Sequence, residues 1–137
     1  HLVGPMQGRV EIPDWVTYHG PASKEELITR WFPEATGLIS LSRHPEGRPQ
    51  VMIEAIASGL PVVASDLSAH RDILTDSPSG LICGAADELG QILSTVEGWK
   101  NDASRQDESR KEARRRFGDW ETTARHYVSI YRDLLQR

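Results

Sequence analysis

Apolar positions along the chain fall into two kinds of pattern. Short, β-rich runs alternate with longer stretches in which apolar residues recur every three or four positions. His1-Leu2-Val3-Gly4 reads as the end of a strand entering a loop, and Val16-Thr17-Tyr18-His19 as a second strand closed by Gly20-Pro21. Ser23-Lys24-Glu25-Glu26 has capping-box spacing, in which the serine accepts from the backbone and the glutamate reaches back. The helix it opens carries Leu27, Ile28 and Trp31 and is expected to end before Pro33. Gly37 to Ser42 is the third expected strand. A helix holding Val51, Ile53, Glu54, Ala55, Ile56 and Ala57 follows, with Pro49 suited to its first turn and Gly59 and Pro61 stopping it. Pro61 to Ser65 is continuously apolar, as strands buried on both faces are. A short helix over Ala69 to Leu74, a strand over Gly80 to Cys83, and helices over Ala85 to Glu97, Arg105 to Phe117 and Trp120 to Leu135 complete the reading. Strands alternating with helices imply an α/β fold with right-handed crossovers and a mainly parallel sheet flanked by helices.

Composition narrows the function without defining it. The 137 residues suit one domain, 1–137, with residues 100–137 as terminal helices. The 38% apolar and 26% charged content is that of an ordinary soluble protein. A net charge of −4 gives no general attraction to nucleic acid. No apolar run nears the roughly 20 residues that span a bilayer, and no leader pattern opens the chain. Cys83 has no cysteine to pair with; it is expected to be a buried small hydrophobe, and its solitude fits a reducing, cytoplasmic setting. Asn101 to Arg116 is polar enough that partial mobility is expected.

The candidate chemistry lies in the loop after the third strand, since parallel sheets bind ligands at the carboxyl ends of their strands. Gly47 and Pro49 prevent one helix from running through both Glu46 and Glu54. Glu46 therefore belongs to the loop and Glu54 to the helix, some 7 Å beyond its start at about 1.5 Å per residue. The first turn, around Gln50, Val51 and Met52, offers free N–H groups and the positive end of the dipole, a natural seat for phosphate. An elongated ligand with a central diphosphate matches this geometry. Glu54 would accept from a ribose diol, Glu46 from sugar hydroxyls, and Gly47 would permit close backbone approach. Two carboxylates beside a diphosphate need compensating charge, for which Arg43, His44 and Arg48 are the local candidates.

The stretch from Glu46-Gly47-Arg48-Pro49-Gln50 through Glu54-Ala55 to Gly59-Leu60-Pro61-Val62-Val63-Ala64 resembles the E-x7-E motif and following strand of the retaining GT-B glycosyltransferases of family 4, or group 1. Tyr18-His19-Gly20, Glu26-Leu27, Asp66, Asp72-Ile73, Gly80-Leu81-Ile82, Phe117, Trp120 and Tyr131 extend the resemblance over nearly the whole chain. It implies the Rossmann-like, donor-binding C-terminal half of a GT-B fold, without the first strand and helix of that half and without the N-terminal acceptor domain. The resemblance also implies roles. Glu54 would bind the ribose, Glu46 would act at the donor sugar near the reacting carbon, and backbone at Pro21 and Ala22 would touch the base. Amides near Gln50 and Val51 would hold phosphate, with Gly47 and Arg48 beside them. The donor would be a nucleoside-diphosphate sugar, its sugar transferred with retention, with no metal or other cofactor. The full-length enzyme would be cytoplasmic, with room for peripheral association at the cytoplasmic face of a membrane.

The sequence departs from the family where Arg48-Pro49 replaces the usual Phe-Gly and Ser68-Ala69 the usual Gly-Gly. Pro49 removes a backbone donor, and Arg48 adds a charge suited to phosphate or to a sugar acid. These departures keep open a non-catalytic nucleotide-sugar-binding module; shared architecture keeps open a GT-B sugar-nucleotide epimerase. Plainer readings attach to other residues. His44 is expected to be exposed, His19 structural, and His70-Arg71-Asp72 a local capping and pairing cluster. The basic run from Arg110 to Arg116 reads as a solvated helix face rather than a nucleic-acid site. Trp120, Tyr127 and Tyr131, at helical spacing, read as core. In intact relatives the last helix crosses to the other domain, so the resemblance also predicts some exposed apolar surface.

Overall fold

A computed structural model describes residues 1–6, 8, 11–45, 47–84 and 89–136. It holds five strands and helices on either side of them in the order β1 (Leu2–Val3), β2 (Tyr18–Gly20), α1 (Lys24–Glu26), a π-helical turn (Leu27–Trp31), α2 (Phe32–Glu34), β3 (Leu38–Ser40), α3 (Gln50–Ala57), β4 (Val62–Ser65), α4 (Ser68–Leu74), β5 (Gly80–Cys83), α5 (Leu89–Lys100), α6 (Ala103–Phe117) and α7 (Trp120–Leu135). Every strand pairing is parallel, as the alternation of elements predicts. The strands divide into two hydrogen-bonded sets, β1-β2 and β3-β4-β5.

The central set is built around β4. Val62, Val63 and Ala64 are at most 3% exposed, so this strand is covered on both faces, as its unbroken apolar run requires. Leu38, Ile39 and Ser40 of β3 align with Val62, Val63 and Ala64, which align in turn with Gly80, Leu81 and Ile82 of β5. The helix α3 lays Met52, Ala55 and Ile56 on this sheet, and Phe32, Leu60, Ile73, Leu74 and Ala113 close the core. The chain leaves α3 through Gly59, whose φ of +80° is left-handed and unstrained only for glycine.

The capping box forms as its spacing predicts: Glu26 N–H donates to Ser23 Oγ and Ser23 N–H to the Glu26 carboxylate. Pro33 does not end the helix. The helical path runs on to Glu34 because the turn before the proline widens to π geometry, with the Phe32 N–H reaching back to the Leu27 carbonyl. A wider turn relieves the collision between a proline ring and the preceding carbonyl that would stop an α-helix.

Four other expectations need revision. The polar stretch expected to be mobile forms α6, which packs along α3 with Ser109 and Ala113 buried; Ser109 Oγ donates to Ser79 Oγ at 2.7 Å. Its basic residues are not simply solvated. Arg105 donates to the Pro78 carbonyl, and Arg116 to the carbonyls of Asp72 (2.5 Å), Ile73 (3.1 Å) and Thr75. Those carbonyls end α4 and lack intrahelical partners, so a guanidinium satisfies them. Trp120, Tyr127 and Tyr131 are not core: α7 buries no residue, and these three are 88%, 56% and 59% exposed. Cys83 is half-buried rather than enclosed. The predicted start of α5, Ala85 to Glu88, lies outside the described residues.

Candidate functional site

The carboxyl ends of β3 and β4 are tied together by Ser65 Oγ, which donates to the Ser42 carbonyl at 2.6 Å. Below this edge, His70 is fully buried and its Nδ1 donates to the Ser65 carbonyl at 2.9 Å. Arg71 pairs with Asp66, and the arginine's hydrogen bond holds the Asp66 carboxyl below the usual carboxylate range. His70 and Arg71 thus fasten α4 to the end of β4, the local role expected of them.

Pro49 is the N-cap of α3, one position before the first turn, and among the described residues no side chain caps the helix. Its missing N–H costs nothing at this position either. The Met52 N–H turns back to the Pro49 carbonyl at 3.2 Å, which leaves the amides of Gln50 and Val51 as the open donors of the helix start. Glu54 is the fifth residue of α3, and its side chain is 18% exposed. Lys24 Nζ stands 3.1 Å from Glu54 Oε1, with the lysine side chain 72% exposed. This contact joins two segments far apart in sequence. Lys24 follows Pro21, Ala22 and Ser23, so the segment carrying the residues expected at a base is tied through its lysine to the carboxylate expected at a ribose.

Lys24 was not among the sequence candidates, although a signal was available. A lysine in the first turn of a helix opposes the dipole, where acids are favoured. A lysine at that position gains from a carboxylate elsewhere in the fold, and Glu54 supplies one.

Other candidates separate from this group. Arg43 and His44 are exposed loop residues. Arg48 turns toward α6, its guanidinium carbon 5.2 Å from the centroid of the Phe117 ring. Gly47 and Arg48 line a cleft with Ala69, Asp72, Ile73, Arg116 and Phe117. Glu46 lies outside the described residues. His19 joins a ring cluster, its Nε2 2.8 Å from His1 Nδ1 and its ring 4.4 Å from that of Trp31. Among the described residues no group of three or more His, Cys, Asp or Glu could hold a metal ion, and no helix is long and apolar enough to cross a membrane.

The family model described as glycosyl transferases group 1 matches residues 1–97. The chain belongs to this family. Group 1 relatives include a D-inositol 3-phosphate glycosyltransferase of Frankia alni, 32% identical over 90% of the chain and 30% of the relative. A phosphatidyl-myo-inositol mannosyltransferase of Mycobacterium leprae is 37% identical over 59% of the chain and 22% of its own length. The spore coat protein SA of Bacillus subtilis is 24% identical over 96% of the chain and 34% of its own length. The chain thus spans between about a fifth and about a third of these curated proteins. No solved structure matches it significantly.

Proposed function

We propose that this chain carries the nucleotide-sugar site of a glycosyl transferase, and that the rest of the reaction is served by protein outside it. The observation that carries the reading is the Lys24–Glu54 contact beside an uncapped helix start. In this reading Glu54 would be the acidic acceptor between a base at the Pro21–Ala22 backbone and a phosphate at the amides of Gln50 and Val51. A ligand suited to this order has a base at Pro21 and Ala22, a ribose diol donating to Glu54, and a diphosphate on the first turn of α3. Hydrogen bonds from neutral hydroxyls to a carboxylate and from N–H groups to a phosphate are both charge-assisted, roughly twice as strong as those between neutral groups.

The sugar then extends past Gly47 toward Glu46, whose carboxylate would accept from sugar hydroxyls near the anomeric carbon. Lys24 holds Glu54 and supplies positive charge against the repulsion between carboxylate and diphosphate. Transfer would move the sugar from the diphosphate to an acceptor with retention and without a metal. The acceptor would be held by a separate domain of a longer protein, so this chain alone is expected to bind donor and transfer nothing.

Titration of the labelled chain with UDP, GDP and ADP, followed by NMR, tests the site. Shifts clustered at Ala22, Gln50, Val51 and Glu54 are expected with one of the three. Glu54→Gln should lower affinity roughly ten- to a hundredfold, the loss of one hydrogen bond to a charged group. Shifts scattered elsewhere, or an unaffected Glu54→Gln, would remove the assignment. A second reading, a module that binds donor without transfer, draws on the Arg48-Pro49 and Ser68-Ala69 pairs. Transfer by the full-length protein that disappears in Glu46→Ala would eliminate it.

A further inference from the structure

The cleft beside Arg48 has a volume of about 350 Å³, within the roughly 300–1,000 Å³ typical of small-ligand pockets. It opens at the carboxyl edge of the sheet, between the β3–α3 loop and α4, with the end of α6 as its far wall. Two guanidiniums border it, and they differ in commitment. Arg116 lies 5.3 Å from the Phe117 centroid and donates to the three carbonyls that end α4. Arg48 rests on the same ring, is exposed, and forms no hydrogen bond or ion pair among the described residues. Its planar fork of N–H donors is therefore unspent, and a carboxylate is the group that matches such a fork.

The remaining walls decide between anions. Ala69, Ile73 and Phe117 give an apolar side that suits the C–H face of a sugar ring, while Asp72 contributes a carboxylate. A phosphate dianion would meet Asp72 as like charge. A sugar carrying one carboxylate would satisfy both ends: its acid accepts from Arg48, and its hydroxyls donate to Asp72. We propose that Arg48 is a specificity-determining residue that selects a donor whose transferred sugar bears a carboxylate, a hexuronic acid. This rests on the donor-site reading above, because Arg48 is two residues from Glu46 and next to the N-cap of α3.

Calorimetric titration of the full-length protein with UDP, UDP-glucose and UDP-glucuronate, and with GDP, GDP-mannose and GDP-mannuronate, tests it. In one of the two series the uronate should bind at least tenfold more tightly than the neutral sugar. Arg48→Met should erase that preference while changing the affinity for the nucleoside diphosphate far less; Arg48→Lys, which keeps charge but not the fork, should restore part of it. Equal affinity for uronate and hexose, with normal binding of the nucleoside diphosphate, overturns this proposal alone. Loss of nucleoside diphosphate affinity in Arg48→Met equal to the loss for the uronate makes Arg48 a phosphate contact and also overturns it. Failure of every nucleotide to bind, ADP included, overturns the donor site together with it.

Discussion

Helices α3 and α7 are both rich in apolar residues, yet they have opposite fates. Eight residues long, α3 buries Met52, Ala55 and Ile56 to 1% exposure or less and anchors the core. Twice that length, α7 carries Trp120, Tyr127, Val128, Ile130, Tyr131, Leu134 and Leu135, and buries none of them. Periodicity reports that a helix has an apolar face, but not what that face meets. For α3 the partner is dictated by connectivity. It lies between parallel neighbours β3 and β4, and a crossover between such strands must lie against the sheet. Helix α7 is not placed between paired strands in this way, and only Gly118 and Asp119 link it to α6.

The largest expected effect follows from this contrast. Met52 is fully enclosed among the core residues, so Met52→Ala removes its packing and leaves a cavity. We expect a loss of about 2–5 kcal/mol in urea denaturation. A loss under about 1 kcal/mol would mean that α3 is not the element holding the sheet. Next in size is Gly59→Ala. A side chain there would be forced to a φ of +80°, and its Cβ would lie 2.8 Å from a guanidinium nitrogen of Arg110. The arginine can move but the backbone cannot, so about 1–3 kcal/mol of strain should appear in the same measurement.

The same contrast separates what the sequence discloses from what it hides. Local chemistry was readable: Ser23 with Glu26 forms its capping box, Gly59 ends α3, and the apolar run at Val62–Ala64 is buried on both faces. Each depends on residues a few positions apart. Pro33 misled because its steric rule holds for α geometry, and the chain escapes by widening the turn before it. The polarity of α6 misled in another way, for Arg116 and Ser109 are spent on groups in distant segments, the end of α4 and Ser79. The candidate site divides along the same line. Glu54, Gln50 and Val51 could be placed from spacing within one helix, whereas the partner of Glu54, Lys24, comes from a segment thirty positions earlier that only folding brings near. Arg48 was recognisable as a spare charge, but its seat on Phe117 was not.

The two helix starts provide a smaller test. Ser23→Ala removes the α1 cap and should cost about 1 kcal/mol. Glu26 is held below the usual carboxylate range, chiefly by the Ser23 backbone N–H and then by the Ser23 side chain. Asp119 at the start of α7 is lowered in the same direction, chiefly by the Thr122 backbone N–H. For a carboxyl depressed on folding, the stabilisation is full above its unfolded pKa and is lost as pH falls through the lowered folded value. Acidification should therefore loosen both helix starts, seen as lower amide protection factors, corrected for the intrinsic exchange rate at each pH, at Glu26 and Thr122. Glu26→Gln should remove the acid dependence at α1 and leave that at α7 intact. An unchanged acid response at Glu26 in this variant would show that the capping carboxylate is not its source.

The smallest effect is expected where the hydrophobic pattern is most conspicuous. Tyr131 sits on the exposed apolar face of α7, where among the described residues its ring approaches that of Tyr127 alone, 6.3 Å between centroids and tilted by 34°. A ring left largely in water contributes little burial, and surface changes away from special features usually fall within about 0.5 kcal/mol. Tyr131→Ser in this chain should therefore alter the denaturation midpoint far less than Met52→Ala, despite removing the larger side chain. The comparison is sharpened by making the same substitution in the full-length protein. If the exposed face of α7 is covered there, Tyr131→Ser should become costly while Met52→Ala keeps its size, because the core of this chain is already complete around α3. Equal, small effects of Tyr131→Ser in both settings would leave α7 as a helix whose apolar face serves no packing at all.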